Sequence, residues 1–438
     1  MTRRSDDPHG ELPVHPSPAH PAPGHPPAGP PTHPPAGPPT DPAPGRPRAT
    51  ALLWAAWATV LVLAGCQDLT TQSDSQNPPR DFSGLQCSLP SSQIFDGGVG
   101  ADGIPSLQDP GFVPANHPSV SFLELQHPFP DVRVIGIEHD GQAYAVPHNI
   151  LWWHEIANID FDSETRVAVT YCPLTGSALT FDREVIRGGT LGVSGLIFQN
   201  NLMMFDRTGT TLFPQMMRTA RCGSQDGLRL PMVPTIEMNW SEWVELHPGT
   251  LVLSGNTGFA RDYTRYPYGN YEENSEFLFP VNSLDDRRPA KERILGYPID
   301  GSSPSQPMGG VALPFGELDR AAAPHAGVAA IPVEIEGDES IVLWSRAAQG
   351  GAFFRPITDG GVRVHIEASD GALIDAETGS EWSVDGHAID GPLAGQSLVR
   401  MPNGYVAFWF AWEAFHAETE LWLYAESLPA RSAALAGG

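Results

Sequence analysis

Large apolar side chains are spread unevenly along this chain, and their spacing changes character several times. The first 45 residues are a run of Pro, His, Ala and Gly with almost no large apolar side chain, too few to offset the entropy of ordering the segment. An apolar run from Ala51 to Leu63 follows directly after Arg46 and Arg48. Further on, Ile150, Leu151, Trp153 and Ile156 recur at helical spacings with the polar His154, Glu155 and Asn158 among them, which predicts the end of an amphipathic helix. Val167-Ala168-Val169-Thr170-Tyr171-Cys172 then reads as a buried strand. Pro173 ends it, because proline lacks an N–H and fixes φ, and Gly176 lets the chain turn back. Trp409 and Trp412, in Phe408-Trp409-Phe410-Ala411-Trp412, are expected in a core.

Part of this pattern recurs. Asp206-Arg207-Thr208-Gly209-Thr210 is echoed by Asp375-Ala376-Glu377-Thr378-Gly379-Ser380. Ala220, Gly223, Gly227 and Leu230 then match Ala388, Gly391, Gly395 and Leu398, and Trp243, His247 and Thr250 match Trp412, His416 and Thr419. Upstream, Val134-Ile135-Gly136 with Asp140-Gly141 corresponds to Ile294-Leu295-Gly296 with Asp300-Gly301. The matched stretch predicts strand, glycine turn, strand and a short helix carrying the tryptophan. The expected class is therefore α+β, β-dominated, with two diverged copies of one lobe at residues 84–288 and 289–427. Around them the reading places a disordered leader at 1–48, a lipoprotein signal peptide at 49–65, a flexible tether at 66–83 and a tail at 428–438. Aligning the copies puts Ser345 opposite Cys172, while the segment facing His154-Glu155 contains neither residue. Copy one is thus the expected seat of any chemistry, and copy two is degenerate.

Composition narrows the partners. The chain has 438 residues, 41% of them hydrophobic, which is enough for a sizeable core. A net charge of -26, from 51 acidic against 25 basic residues, argues against nucleic acid, whose phosphates such a surface repels. Arg46 and Arg48, the short apolar run and Leu63-Ala64-Gly65-Cys66 follow the order of a secretory signal, and the run is shorter than the ~20 residues of a spanning helix. Leu-Ala-Gly-Cys resembles the bacterial lipobox. That resemblance implies acylation of Cys66 and export to a bacterial membrane, facing the periplasm or the outer surface. Export would leave Cys87, Cys172 and Cys222 in an oxidising compartment, where at most one pair forms. The pair is Cys172–Cys222 or Cys87–Cys222, unless all three are buried thiols.

The densest grouping of reactive side chains is Trp152 to Asn158 with Val167 to Ser177, and it admits three readings. His154, Glu155 and Cys172, joined by Asp206, offer ligands suited to copper or zinc. Alternatively, Cys172 is a nucleophile activated by His154 and oriented by Asn158 or Glu155. In the third reading, which is preferred, the segment belongs to a non-catalytic binding or structural module in which His154 packs a helix and Cys172 is a core thiol. Tyr263, Tyr266, Tyr268 and Tyr271 would then present stacking faces and hydroxyls to a glycan or peptide. The Asp- and Gly-rich stretch Asp96 to Pro105 reads as a structural loop in preference to a calcium site.

Cys87-Ser88-Leu89-Pro90, Asp102-Gly103-Ile104-Pro105, His154-Glu155-Ile156, Thr170-Tyr171-Cys172-Pro173-Leu174, Gly192-Val193-Ser194-Gly195-Leu196, Asp206-Arg207 and Arg261-Asp262-Tyr263 with Pro267-Tyr268 occur in this order. Together they resemble a bacterial exported family catalogued as domain of unknown function 3179, over about residues 84 to 424. The resemblance implies no activity. Members commonly carry Cys-Pro-Leu-Cys where this chain ends the motif with Thr175, so a two-cysteine redox or metal motif is broken here.

Overall fold

In the computed structural model, residues 81–124, 132–300 and 309–425 are described. The leader, the apolar run, Cys66, nearly all of the tether and the tail lie outside them. Strand accounts for 40% of the structure and helix for 15%, so the protein is β-dominated, with several sheets. Among the described residues no helix is long and apolar enough to cross a membrane.

Two four-stranded arrangements share one pattern. In the first, β1 (Arg133–His139) and β2 (Gln142–Pro147) form a hairpin. Asp140 and Gly141 both take positive φ at its turn, as a two-residue loop matching strand twist requires. Pro147, with its φ fixed near the helical value, leads into α1 (His148–His154). Next come β3 (Ile156–Asp160), β4 (Arg166–Cys172) and β5 (Ser177–Asp182), paired in that order in a second sheet, with the short strand Leu107–Gln108 parallel to β3 at its edge. Later in the chain, β6 (Ile236–Asn239) pairs antiparallel with β1, α2 (Trp240–Leu246) follows, and β7 (Leu251–Leu253) pairs parallel with β2. The order is β6-β1-β2-β7.

The second arrangement has β8 (Arg293–Ile299), β9 (Gly309–Pro314) and α3 (Phe315–Ala322), with Pro314 before the helix. The strands β10 (Val328–Ile335), β11 (Asp338–Ser345) and β12 (Gly350–Thr358) come next. Its closing elements are β13 (Tyr405–Phe408), α4 (Trp409–Phe415) and β14 (Glu418–Leu421), and the strand order is β13-β8-β9-β14. The registers correspond: Asn239 faces Arg133 as Phe408 faces Arg293. Likewise Leu251 faces Tyr144 as Glu420 faces Val311.

Each arrangement is closed by a buried tryptophan. Trp243 lies so close to Gly136 that a Cβ there would meet its ring at 2.2 Å, and Trp412 covers Gly296 at 2.4 Å. Only glycine fits beneath the indoles. Both indole N–H groups donate to a threonine Oγ1 at 2.9 Å, Thr250 and Thr419 respectively. Both rings pack against a tilted histidine ring with centroids 4.1 Å apart, His247 and His416.

The halves interlock through their end strands. The N–H of Asn239 donates to Ala348 O, and that of Phe408 donates to Thr175 O, each at 2.8 Å. Glu237 pairs with Gly351, so β6 joins β12 and the first sheet runs into the β10-β11-β12 hairpins. A disulfide joins Cys87 to Cys222, and Cys172 stays a buried thiol, so the Cys172–Cys222 alternative is not formed.

The sequence pattern ran the helix too far. It stops at His154, where Glu155 turns to φ 55° and its amide closes on Leu151 O at 2.8 Å. Ile156 and Asn158 belong to β3. There the Asn158 side chain bonds Leu107 O, Leu191 O and Leu191 N, tying β3 to neighbouring strands and leaving no amide to orient a thiol.

Candidate functional site

Adjacent in sequence, His154 and Glu155 diverge in space. His154, the last residue of α1, is fully buried, with Nδ1 donating to Pro105 O at 2.7 Å. Its Nε2 therefore accepts from the Tyr263 hydroxyl at 2.8 Å, and that oxygen takes a hydrogen bond from Thr257 at 2.6 Å. Burial lowers the imidazole pKa to about 4, so the ring is neutral and both nitrogens are engaged. Glu155 faces the other way, where its carboxyl accepts from the Tyr268 hydroxyl at 3.3 Å. Burial raises it to about 8, making it a protonated acid at neutral pH.

Cys172 sits at the end of β4, opposite Ser177 across the Pro173–Gly176 turn. Its thiol is fully buried, and burial, reinforced by Glu155, raises its pKa to about 11. Glu155 and Cys172 are thus near one another, and His154 is directed away towards Pro105 and Tyr263. Asp206 closes its own turn, accepting from the Thr208 N–H and hydroxyl at 2.8 Å. None of these four residues belongs to a group of three or more His, Cys, Asp or Glu side chains with ligand atoms within 4.8 Å of one another, among the described residues.

The tyrosine segment is a correction of a different kind. Tyr263, Tyr266 and Tyr271 are buried, and only Tyr268 is half-exposed. Tyr266 packs edge-on against Trp152, and the Tyr271 hydroxyl donates to Leu174 O at 2.8 Å. The three buried rings fill the space around α1 and the β4–β5 turn and present no stacking face to a ligand, which leaves Tyr268 alone at the surface. In the Asp96 to Pro105 loop, Asp102 pairs with Arg207, and the Asp96 carboxylate accepts from Gly98 N at 2.8 Å, consistent with a structural loop.

Two features escaped sequence reasoning. Behind the β4–β5 turn, Thr170, Thr175, Ser177, Asn201 and Gln215 form a fully buried polar network. Ser177 Oγ and Asn201 Nδ2 donate to Gln215 Oε1 at 2.7 and 2.8 Å, and Gln215 Nε2 donates to Thr170 Oγ1 at 2.8 Å. A network satisfied in this way rigidifies the turn.

The other feature, among the described residues, is a pair of His and carboxylate clusters whose geometry can hold a metal ion: Glu138, His247 and Asp385, and the more exposed His139, Asp140 and Asp162. The first is joined by His387, whose Nε2 lies 2.8 Å from Glu138 Oε2 although the two residues are 249 positions apart. Only His247 stood out in the sequence, through the matched Trp and Thr, and no spacing rule reaches its partners.

No curated protein and no solved structure matches the chain. Residues 101–419 match the family described as "Protein of unknown function (DUF3179)", a span that takes in both clusters and both sheet arrangements up to the first residues of β14. The match covers well over half of the sequence, and the chain therefore belongs to this family.

Proposed function

We propose that the protein is an exported, lipid-anchored binding or structural module of the bacterial cell envelope, built from two diverged copies of one lobe. The observation that carries the non-catalytic part is the state of the central stretch. The Cys172 thiol is fully buried with its pKa raised to about 11, and a nucleophilic thiol needs the opposite on both counts. His154 is committed through both nitrogens and has no lone pair to offer as base or ligand. Support for duplication comes from the shared strand order, the matching registers and the paired Trp–Gly and Trp–Thr contacts.

The alternative of a copper- or zinc-binding protein draws support from the His and carboxylate clusters rather than from His154, Glu155, Cys172 and Asp206. Anchoring rests on the order of basic residues, apolar run and Leu-Ala-Gly-Cys ahead of Cys66. Cys66→Ala is expected to abolish incorporation of labelled fatty acid and to shift the protein out of the membrane fraction. A variant that stays processed and membrane-bound like the parent overturns the lipoprotein reading.

A further inference from the structure

Side chains from distant parts of the chain meet where the first sheet abuts the loop between strands Glu381–Trp382 and Ala388–Asp390. Glu138 comes from the end of β1, His247 from the residue that ends α2, and Asp385 and His387 from that loop. Each of three donors is held by one atom and offers another. Asp385 is 2% exposed, and its Oδ1 accepts from Ser383 Oγ. The Nδ1 of His387 is bonded to Ser397 Oγ at 2.8 Å, leaving Nε2 to face inward. Oε1 of Glu138 accepts from Arg400 at 3.0 Å, leaving Oε2.

Ligand atoms of Glu138, His247 and Asp385 all lie within 4.8 Å of one another, and His387 flanks them with its Nε2 hydrogen-bonded to Glu138 Oε2 at 2.8 Å. His247 Nε2 and Asp385 Oδ2 are 2.7 Å apart. Both atoms are shielded from solvent, and each has no hydrogen-bond partner beyond this contact. His387 Nε2 is 3.7 Å from the same Oδ2. A carboxylate oxygen in a nearly sealed residue, faced by two imidazole nitrogens, is placed to share a cation with them.

We propose that Glu138, His247, Asp385 and His387 bind one divalent first-row transition metal ion, with Zn2+ the best fit. Two imidazole nitrogens and two carboxylate oxygens suit tetrahedral zinc, whereas calcium and magnesium take oxygen ligands. Ligand atoms about 2.0 to 2.2 Å from one ion lie roughly 3.5 Å apart, a value that the contacts of 2.7, 2.8 and 3.7 Å bracket. Ser383, Ser397 and Arg400 are the outer partners that hold the donors in place. The Glu138 and His387 side chains, 27% and 34% exposed, leave a way in. The site gives the binding module a ligand but does not rest on the lipid anchor: Cys66→Ala leaves it intact.

The test is zinc titration of the full chain purified without chelator, followed by calorimetry and by the visible spectrum of the Co2+-loaded protein. The wild type is expected to take up one equivalent and to give the intense d–d bands of a tetrahedral site. Asp385→Asn and His247→Gln should each weaken binding by more than roughly 100-fold, and Ser397→Ala by about 10-fold, as loss of an outer partner does. Glu155→Gln and Cys172→Ser should leave it unchanged. Should the ligand variants fail to fold, Ser397→Ala and the cobalt spectrum decide. A wild type that binds no zinc, zinc affinity indifferent to Asp385→Asn and Ser397→Ala, or loss of binding in Cys172→Ser would each overturn the proposal.

Discussion

His247 and His416 occupy matching positions: each ends a short helix, packs its ring against the helix tryptophan and donates its backbone N–H to that tryptophan's carbonyl. What reaches them from elsewhere differs. His416 is sealed, with Nε2 2.6 Å from the Tyr405 hydroxyl, and burial with the nearby Arg218 holds its pKa well below the usual range. Arg218, its side chain 1% exposed, pairs with Asp300 at 2.6 Å and brings a permanent cation into that corner. His247 instead meets Asp385, Glu138 and His387. Both histidines thus sit on the same kind of tryptophan–threonine frame, and the side chains arriving from elsewhere decide whether the corner is closed by a guanidinium or ringed by donors.

The comparison is broken or sharpened most strongly at the tryptophans. Trp243→Ala and Trp412→Ala should each cost about 3–5 kcal/mol in urea unfolding, since each removes a fully buried ring packed on a glycine. Losses equal to within about 1 kcal/mol would support equivalent settings. A loss confined to one half would break the comparison.

A smaller effect separates the halves by pH. Glu155 has its pKa raised by burial from 4.5 to about 8, so between those values the folded state holds a proton that the unfolded state has released. Stability should therefore fall as pH rises through this window, by at most about 1.4 kcal/mol per unit, and level off above it. Glu155→Gln should remove the slope, a relative gain on the order of 3 kcal/mol between pH 5 and 7.5. Parallel profiles for variant and parent would mean that Glu155 is ionised in the fold.

The smallest effect is at the threonines. Thr250→Val and Thr419→Val each leave a buried indole N–H without its acceptor, and should cost about 1–2 kcal/mol in the same unfolding measurement.

Much of the fold was legible because it depends on local rules. Asp140-Gly141 marks a hairpin turn, and Pro173 and Gly176 mark the end of β4, whereas the close approach of Trp243 to Gly136 and of Trp412 to Gly296 appears only in the packed chain. Helix α1 was extended too far because Ile156 and Asn158 fit a helical period as well as the start of a strand. Positive φ at Glu155, which only the packed chain enforces, ends the helix. The central site misled for a related reason: neighbours in sequence, His154 and Glu155, point to opposite sides of one helix end.

The sequence by itself determined the class, the turns, the tryptophan-bearing helices and the membership of a family, since periodicity, proline and glycine act over a few residues. Tertiary structure alone decided which cysteines pair, that the tyrosines are interior, and that Glu138, His247, Asp385 and His387 converge. A donor cluster is defined by distances of a few ångströms in space. Residues 249 positions apart acquire such a distance only when strand pairing and loop packing have closed the chain around them.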